Sequence, residues 1–175
     1  MQSSELLADG GQVGTLYFFC GKMASGKTTL ATRLALKPTT IYVSEDELLA
    51  GLFPGEVHDI PDYVRCTDRL KTTLSTHFVA VLKQGVSLVL DFPANTRKQR
   101  QWMRSLIDSS GASHELHFLN YSDDYCKRQL QQRISSSTQP RSTDTLEMFN
   151  RMSRYFEPPA ADEEFTLVEH TLADN

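Results

Sequence analysis

Residues Gly21 to Thr28 read GKMASGKT: a glycine, four unconstrained positions, then Gly-Lys-Thr. The pattern carries chemistry only between a strand and a helix, and its flanks meet that condition. Before it runs TLYFFC, Thr15 to Cys20, apolar and β-rich behind the Gly10, Gly11 and Gly14 cluster; after it runs TTLATRLALK, helical in composition and period. Gly21 and Gly26 free the backbone to curl, so that Gly21, Lys22, Met23, Ala24, Ser25, Gly26, Lys27, Thr28 and Thr29 form a cup of inward N–H groups at the positive end of a helix. Such a cup holds a polyphosphate. Lys27 is expected between the β- and γ-phosphates, and the Thr28 hydroxyl on Mg²⁺, which makes ATP and Mg²⁺ the expected cofactors. A Gly-Lys turn matched by chance is the alternative, and the strand and helix on either side argue against it.

Composition bounds what can be built on that loop. The chain has 175 residues, enough for one α/β domain and short for two, so residues 14–175 are read as a single domain behind a flexible, glycine-punctuated leader at 1–13. Hydrophobic residues make up 39% and charged ones 23%, ordinary for a soluble globular protein. No apolar run reaches the roughly 18 residues needed to span a bilayer. The start MQSSELLADGGQVG lacks the basic and apolar regions of a secretion signal, so a cytoplasmic location is expected. Cys20, Cys66 and Cys126 are odd in number and far apart, which reads as reduced thiols. A net charge of −4 argues against a sequence-independent grip on nucleic acid but leaves room for a short acidic substrate held by local arginines.

Beyond the loop the pattern alternates helix and strand. A helix from Lys27 to about Leu36 stops at Lys37-Pro38, and a strand, Thr39 to Val43, leads into SEDELLAGLF. Ser44 is placed to cap, and Glu45, Asp46 and Glu47 fall in the first turn, where capping alone explains acids. In an open parallel sheet, however, ligands sit beyond the carboxyl ends of the strands. Asp46 is therefore also placed to take the proton of a hydroxyl attacking the γ-phosphate. A long helix, about Asp62 to Gln84, carries Arg65 and Arg69 on one face, either paired with Asp62 and Asp68 or touching substrate.

The third strand, Val86 to Leu90, ends in Asp91, expected to hold Mg²⁺ or substrate, because the cap of the next helix falls later, at Asn95 or Thr96. That helix opens RKQRQW. Arg97, Lys98 and Arg100 put positive charge at the end of the dipole that disfavours it, so a partner must compensate: the substrate, or acids of the preceding helix. Asp46, Asp91, Asn95, Arg97, Arg100 and Arg65 are thus the expected acceptor contacts, with Trp102 in the core or the cleft wall. In the strand from Ser113 to Asn120, His114 and His117 face opposite sides, which argues against a shared metal. Asn120-Tyr-Ser-Asp123 lacks the lysine of a guanine-reading motif, and Asp91 is not followed by x-x-Gly, so a GTPase switch is disfavoured.

After a helix from Asp124 to about Ile134, QQRISSSTQPRSTDT forms a loop bracketed by Arg133 and Arg141. Either it is a lid, at about 133–145, that brings positive charge to the γ-phosphate and excludes water, or it is a surface loop with solvated arginines. A helix at about Thr145 to Tyr155, the breaker Glu157-Pro158-Pro159 and a strand at Phe165 to Val168 complete five strands.

With FFCGKMASGKTTLATRLA, VSEDELL, SLVLDFPANTRKQRQW, RQLQQRISSS and FEPPAADEEFTLVEH on the page, the chain resembles the P-loop kinases of the AAA_33 type, relatives of polynucleotide 5′-hydroxyl kinase, chloramphenicol phosphotransferase and zeta toxin. The resemblance covers nearly the whole chain. It implies a three-layer P-loop NTPase/kinase fold around a mostly parallel five-stranded sheet of order 2-3-1-4-5, with an arginine-bearing lid. It likewise implies that Asp46 is the base for the acceptor hydroxyl and that Arg133 and Arg141 belong to the lid; Asp46, Lys27 and Arg133 are the expected catalytic residues. The expected activity is transfer of the ATP γ-phosphate to a hydroxyl of a small molecule or a nucleic-acid end. A nucleotide-dependent regulatory ATPase and a toxin acting on a sugar nucleotide are the competing readings.

Overall fold

The computed structural model describes residues 12–138 and 143–172; most of the leader, Arg141 and the last three positions lie outside them. Five parallel strands form one sheet: β1 (Thr15–Gly21), β2 (Thr40–Ser44), β3 (Ser87–Pro93), β4 (Ser113–Leu119) and β5 (Leu167–His170), in the order β2-β3-β1-β4-β5. The helices are α1 (Lys27–Leu34), α2 (Glu45–Leu52), α3 (Ile60–Lys83), α4 (Arg97–Ser110), α5 (Asp123–Ser136) and α6 (Leu146–Ser153). This is the expected three-layer order. No helix among the described residues is long and apolar enough to cross a membrane.

The apolar runs of β1, β3 and β4 are continuous because both faces of these strands are covered. Leu16, Phe18, Leu88, Leu90 and Leu116 pack with Phe78 and Leu82 of α3 and Met103, Leu106 and Ile107 of α4. One residue out of step, Tyr17, Phe19 and Val89 meet Ala31 of α1 on the other face. Phe18 and Phe19 are fully buried, and each side chain contributes roughly 1.5–3 kcal/mol of transfer free energy. β3 and β4 lie on either side of β1, so the chain changes direction there. A crevice opens beyond the carboxyl end of β1, where the Gly21 loop begins.

Two strands differ from the sequence reading in a way that matters. β3 continues to Pro93 instead of stopping at Leu90, because the β1–β3 ladder slips between Phe18 and Phe19 and pairs Phe19 with Pro93. Proline, which has no N–H to donate, is tolerated as the final residue. Asp91, paired with Ser44 of β2, sits inside the strand and not at its end. The last strand starts at Leu167, since Phe165 instead sets its ring edge-on to Phe18 at 5.3 Å.

The segment between α6 and β5 is fastened to α4 by an ion pair. Arg100 is 1% exposed. Its Nε and Nη2 each donate to Glu163 at 2.8 Å, while Nη1 donates to the carbonyls of Ala94 at 3.0 Å and Glu157 at 2.8 Å. Nearby, Arg97 grips both oxygens of Asp162 at 2.9 and 3.0 Å, and its N–H reaches the Glu157 carboxylate. The cationic start of α4 is balanced, then, by acids about sixty residues later in the chain.

Candidate active site

The Gly21–Thr28 loop owes its shape to three residues. Gly26, the N-cap of α1, has φ 96° and Ala24 has φ 57°, both left-handed. At Gly21 the constraint is space: a Cβ there would lie 2.7 Å from Ser25 Oγ and 3.1 Å from Leu119 Cβ. The Gly21 N–H, expected to face the cup, instead donates to Asn95 Oδ1 at 2.9 Å, tying the loop to the segment after β3. The Lys22 side chain likewise turns away, to an ion pair with Asp123 at the start of α5. The Lys27 ammonium folds across the loop and donates to the carbonyls of Gly21 at 2.6 Å and Lys22 at 2.8 Å. Burial lowers it to about 8, with Arg133 acting the same way and Asp91 opposing, so it is still mostly charged at neutral pH. Ser25 Oγ is buried without a hydrogen-bond partner among the described residues.

A cavity of about 430 Å³ opens over this loop. Its walls bring together Met23 to Thr29, Asp46 from the first turn of α2, Asn95, and Arg133 from α5. Asp46 reaches this place because the Ser44 hydroxyl accepts the Glu47 N–H at 3.3 Å and starts α2 at the sheet edge. Arg133 is held by Asp144 at 2.5 Å. Asp91 does not line the cavity; its carboxylate accepts the Tyr42 hydroxyl at 3.0 Å and lies close enough to Lys27 to favour the charged ammonium. Arg141 lies outside the described residues.

Three expected acceptor contacts are redirected. Arg65 pairs with Asp62 at 3.2 Å and Glu56 at 3.5 Å on the exposed side of α3. Arg97 and Arg100 are committed to Asp162 and Glu163, and all five N–H groups of Arg100 have acceptors or face Cys20 Sγ. The cap of α4 proves to be Thr96, completed by Gln99 in a capping box.

Other residues enter that the sequence reading passed over. Gln129 shares the cavity with Arg133, four residues on along α5, a spacing that was legible. Asp144, 9% exposed, lines it too. Glu45, one of three acids assigned to capping, is 2% exposed. Its Oε2 accepts the Tyr63 hydroxyl at 2.6 Å and its Oε1 has no partner among the described residues. Burial raises this carboxyl to about 7, helped by Asp46 and Asp91 and opposed by the Tyr63 hydrogen bond and Lys71. Nothing in a run of three acids says which one the fold will swallow.

The cavity does not end at the loop. Through Pro93, Asn95 and Met152 it adjoins a chamber of about 140 Å³, which in turn shares Tyr63, Thr96 and Gln99 with a cavity of about 530 Å³ between α3 and α4.

The sequence profile of AAA_33, described as an AAA domain, matches residues 16–159. The chain belongs to the AAA_33 family. Among solved structures, this AAA_33 protein is similar to the Mycobacterium tuberculosis APS kinase CysC in complex with AMPPNP and APS, at 16% identity and TM-score 0.61, covering 94% of this chain and 91% of that one. It is also similar to Chaetomium thermophilum Kti12 in complex with ADP-AlF3, at 15% identity and TM-score 0.63, covering 91% and 90%. A sugar kinase from Janibacter sp. HTCC2649 matches at 15% identity and TM-score 0.55, covering 90% and 85%. At these identities the likeness establishes the fold, that of the P-loop kinases. No curated protein matches the sequence.

Proposed function

We propose that this protein transfers the γ-phosphate of ATP to a hydroxyl group. What carries the reading is that one cavity gathers a phosphate loop with its lysine, a carboxylate at the end of β2 and an arginine from the opposite wall. These are the parts that phosphoryl transfer needs, since its catalysis is positioning plus charge stabilisation. The complexes of two structural neighbours, with AMPPNP and with ADP-AlF3, are in keeping with ATP as donor.

In this reading the acceptor hydroxyl oxygen attacks the γ-phosphorus, the bond from that phosphorus to the β–γ bridging oxygen breaks, ADP leaves, and the hydroxyl proton passes to Asp46. Lys27 leaves the loop carbonyls for the phosphate oxygens, and Arg133 meets the charge that builds on them. Thr28 on the cavity wall and Asp91 beside Lys27 offer hard oxygen ligands of the kind Mg²⁺ takes one or two of, alongside phosphates and water. Mg²⁺ held there would offset the charge of the β- and γ-oxygens. Gln129 and Asp144 complete the wall, and Asp144 orients Arg133.

The test is incubation with γ-labelled ATP and pooled small hydroxyl compounds. Label on an organic acceptor is expected. Asp46→Asn should reduce transfer by about 10² to 10⁴ while leaving ATP binding within a few-fold. Label in free phosphate alone, undiminished in Asp46→Asn, would mean an ATPase instead.

A further inference from the structure

Of the three cations that open α4, Arg97 and Arg100 have acids of their own. Lys98 has none. It lines the cavity of about 530 Å³ between α3 and α4, within the roughly 300–1,000 Å³ range of small-molecule sites. Across the cavity stands Lys71 of α3, its ammonium 5.0 Å over the Trp102 ring. Among the described residues neither ammonium has a salt-bridge partner. Among the described residues the only carboxylate on the walls is exposed Asp68. Trp102 is fixed by its Nε1–H to Ser75 Oγ at 2.9 Å. The Thr67 hydroxyl, 4% exposed, lines the same space without a hydrogen-bond partner of normal geometry among the described residues.

Two unpaired cations, a buried hydroxyl with hydrogen-bonding capacity to spare, and the positive end of α4 all favour the same kind of guest, an anion. Burial, with Lys98 acting the same way, already holds the Lys71 ammonium below its ordinary range, against attraction from Glu45 and Asp68. A bound anion would restore it. The cavity also adjoins the chamber at Asn95, Thr96 and Gln99, which in turn adjoins the phosphate-loop cavity.

Resting on the phosphotransferase reading above, we propose that this second cavity seats an anionic group of the acceptor, phosphate or carboxylate, so that the substrate is a small alcohol that already carries a negative charge. Its free hydroxyl extends through the chamber toward Asp46, and the transfer chemistry is unchanged. A nucleic-acid end fits less well, since the net charge is −4.

Trp102 is the one tryptophan in the chain and lies on the cavity wall, so its fluorescence reads occupancy directly. The full chain, saturated with AMPPNP and Mg²⁺, is titrated with matched compounds: glycerol against glycerol 3-phosphate and glycerate, ribose against ribose 5-phosphate, glucose against glucose 6-phosphate. In at least one set the charged member should bind about 10- to 100-fold more tightly than the neutral one, and the phosphate and carboxylate arms tell the two anions apart. The Lys71→Met, Lys98→Met double variant should erase that preference with mant-ADP binding unchanged, and Lys71→Arg should keep it. Equal response to charged and neutral members, no response to any, a preference that survives the double variant, or a response confined to a 5′-hydroxyl oligonucleotide overturns the proposal. Failure of the wild-type chain to bind mant-ADP overturns the phosphotransferase reading itself, and the two failures are read in separate channels.

Discussion

Two arginine-bearing helix segments flank the phosphate loop, and they have opposite fates. On α5, Arg133 stands on the cavity wall, about half exposed, and is steered by Asp144. On α4, Arg100 is buried and saturated by Glu163 and backbone carbonyls. In the sequence both look alike: cations close to the carboxyl end of the sheet. What separates them is the supply of acceptors. The segment from Glu157 to Glu163 crosses the start of α4 and consumes its guanidiniums, whereas among the described residues Arg133 of α5 meets one carboxylate. An arginine near a phosphate loop is free for chemistry only if the fold has not already used it.

The comparison can be broken most sharply at Arg133. Changing it to Ala should lower kcat by about 10³ or more, as loss of an arginine that meets transition-state charge does. Thermal stability should fall by less than in Arg100→Ala, since Arg133 is itself about half exposed although the Asp144 carboxylate it leaves is buried. Wild-type kcat in that variant would place it among the solvated surface arginines.

Arg100→Ala should show the reverse. It strands Glu163 in a buried site, a loss of roughly 3–5 kcal/mol, seen as a Tm lower by about 10 °C. Activity per folded molecule should hold, and Arg100→Met with Glu163→Gln should recover most of the stability. Arg97→Ala, on an exposed pair, should be indistinguishable from wild type by melting. Lost activity at unchanged Tm in Arg100→Ala would return that residue to the catalytic side.

The smallest effect separates two buried acids by pH. Burial pushes the Glu163 carboxyl up, but Arg100 and the Ala160 N–H outweigh it and hold it below 4.5, so its contribution is complete above about 4.5 and is lost as pH falls below that. Glu45 runs the other way. Raised from 4.5 to about 7, it is more readily protonated in the folded state than in the unfolded chain, so it costs stability progressively as pH rises from about 4.5 to 7. Glu45→Gln should therefore melt with wild type at pH 4 and be more stable by roughly 2–3 kcal/mol at pH 8. A stability difference independent of pH would mean that Glu45 is ionised throughout.

Much was legible in advance because it is local. The loop needs eight consecutive residues, left-handed backbone at Gly26 and a following helix, and the strands β1, β3 and β4 announce themselves as apolar runs of the right length. Asp46 could be picked from the rule that ligands gather beyond the carboxyl ends of parallel strands. The pairing that draws Asp91 into β3 was not legible, because its partner is Ser44 of β2, 47 positions earlier. Nor was the turning of the Gly21 N–H toward Asn95, a contact across 74 positions.

The sequence by itself settled the phosphate cup, the alternation of strands and helices and the family, since each rests on spacing within a few turns of chain. Tertiary structure alone decided which charges remain available: Arg100, Arg97 and Arg65 spent on partners, Arg133, Lys71 and Lys98 turned to cavities, and Glu45 buried while its neighbour Asp46 reaches the cleft. The physical reason is that a charge is satisfied by whatever lies within about 3 Å of it, and only the folded chain determines what that is.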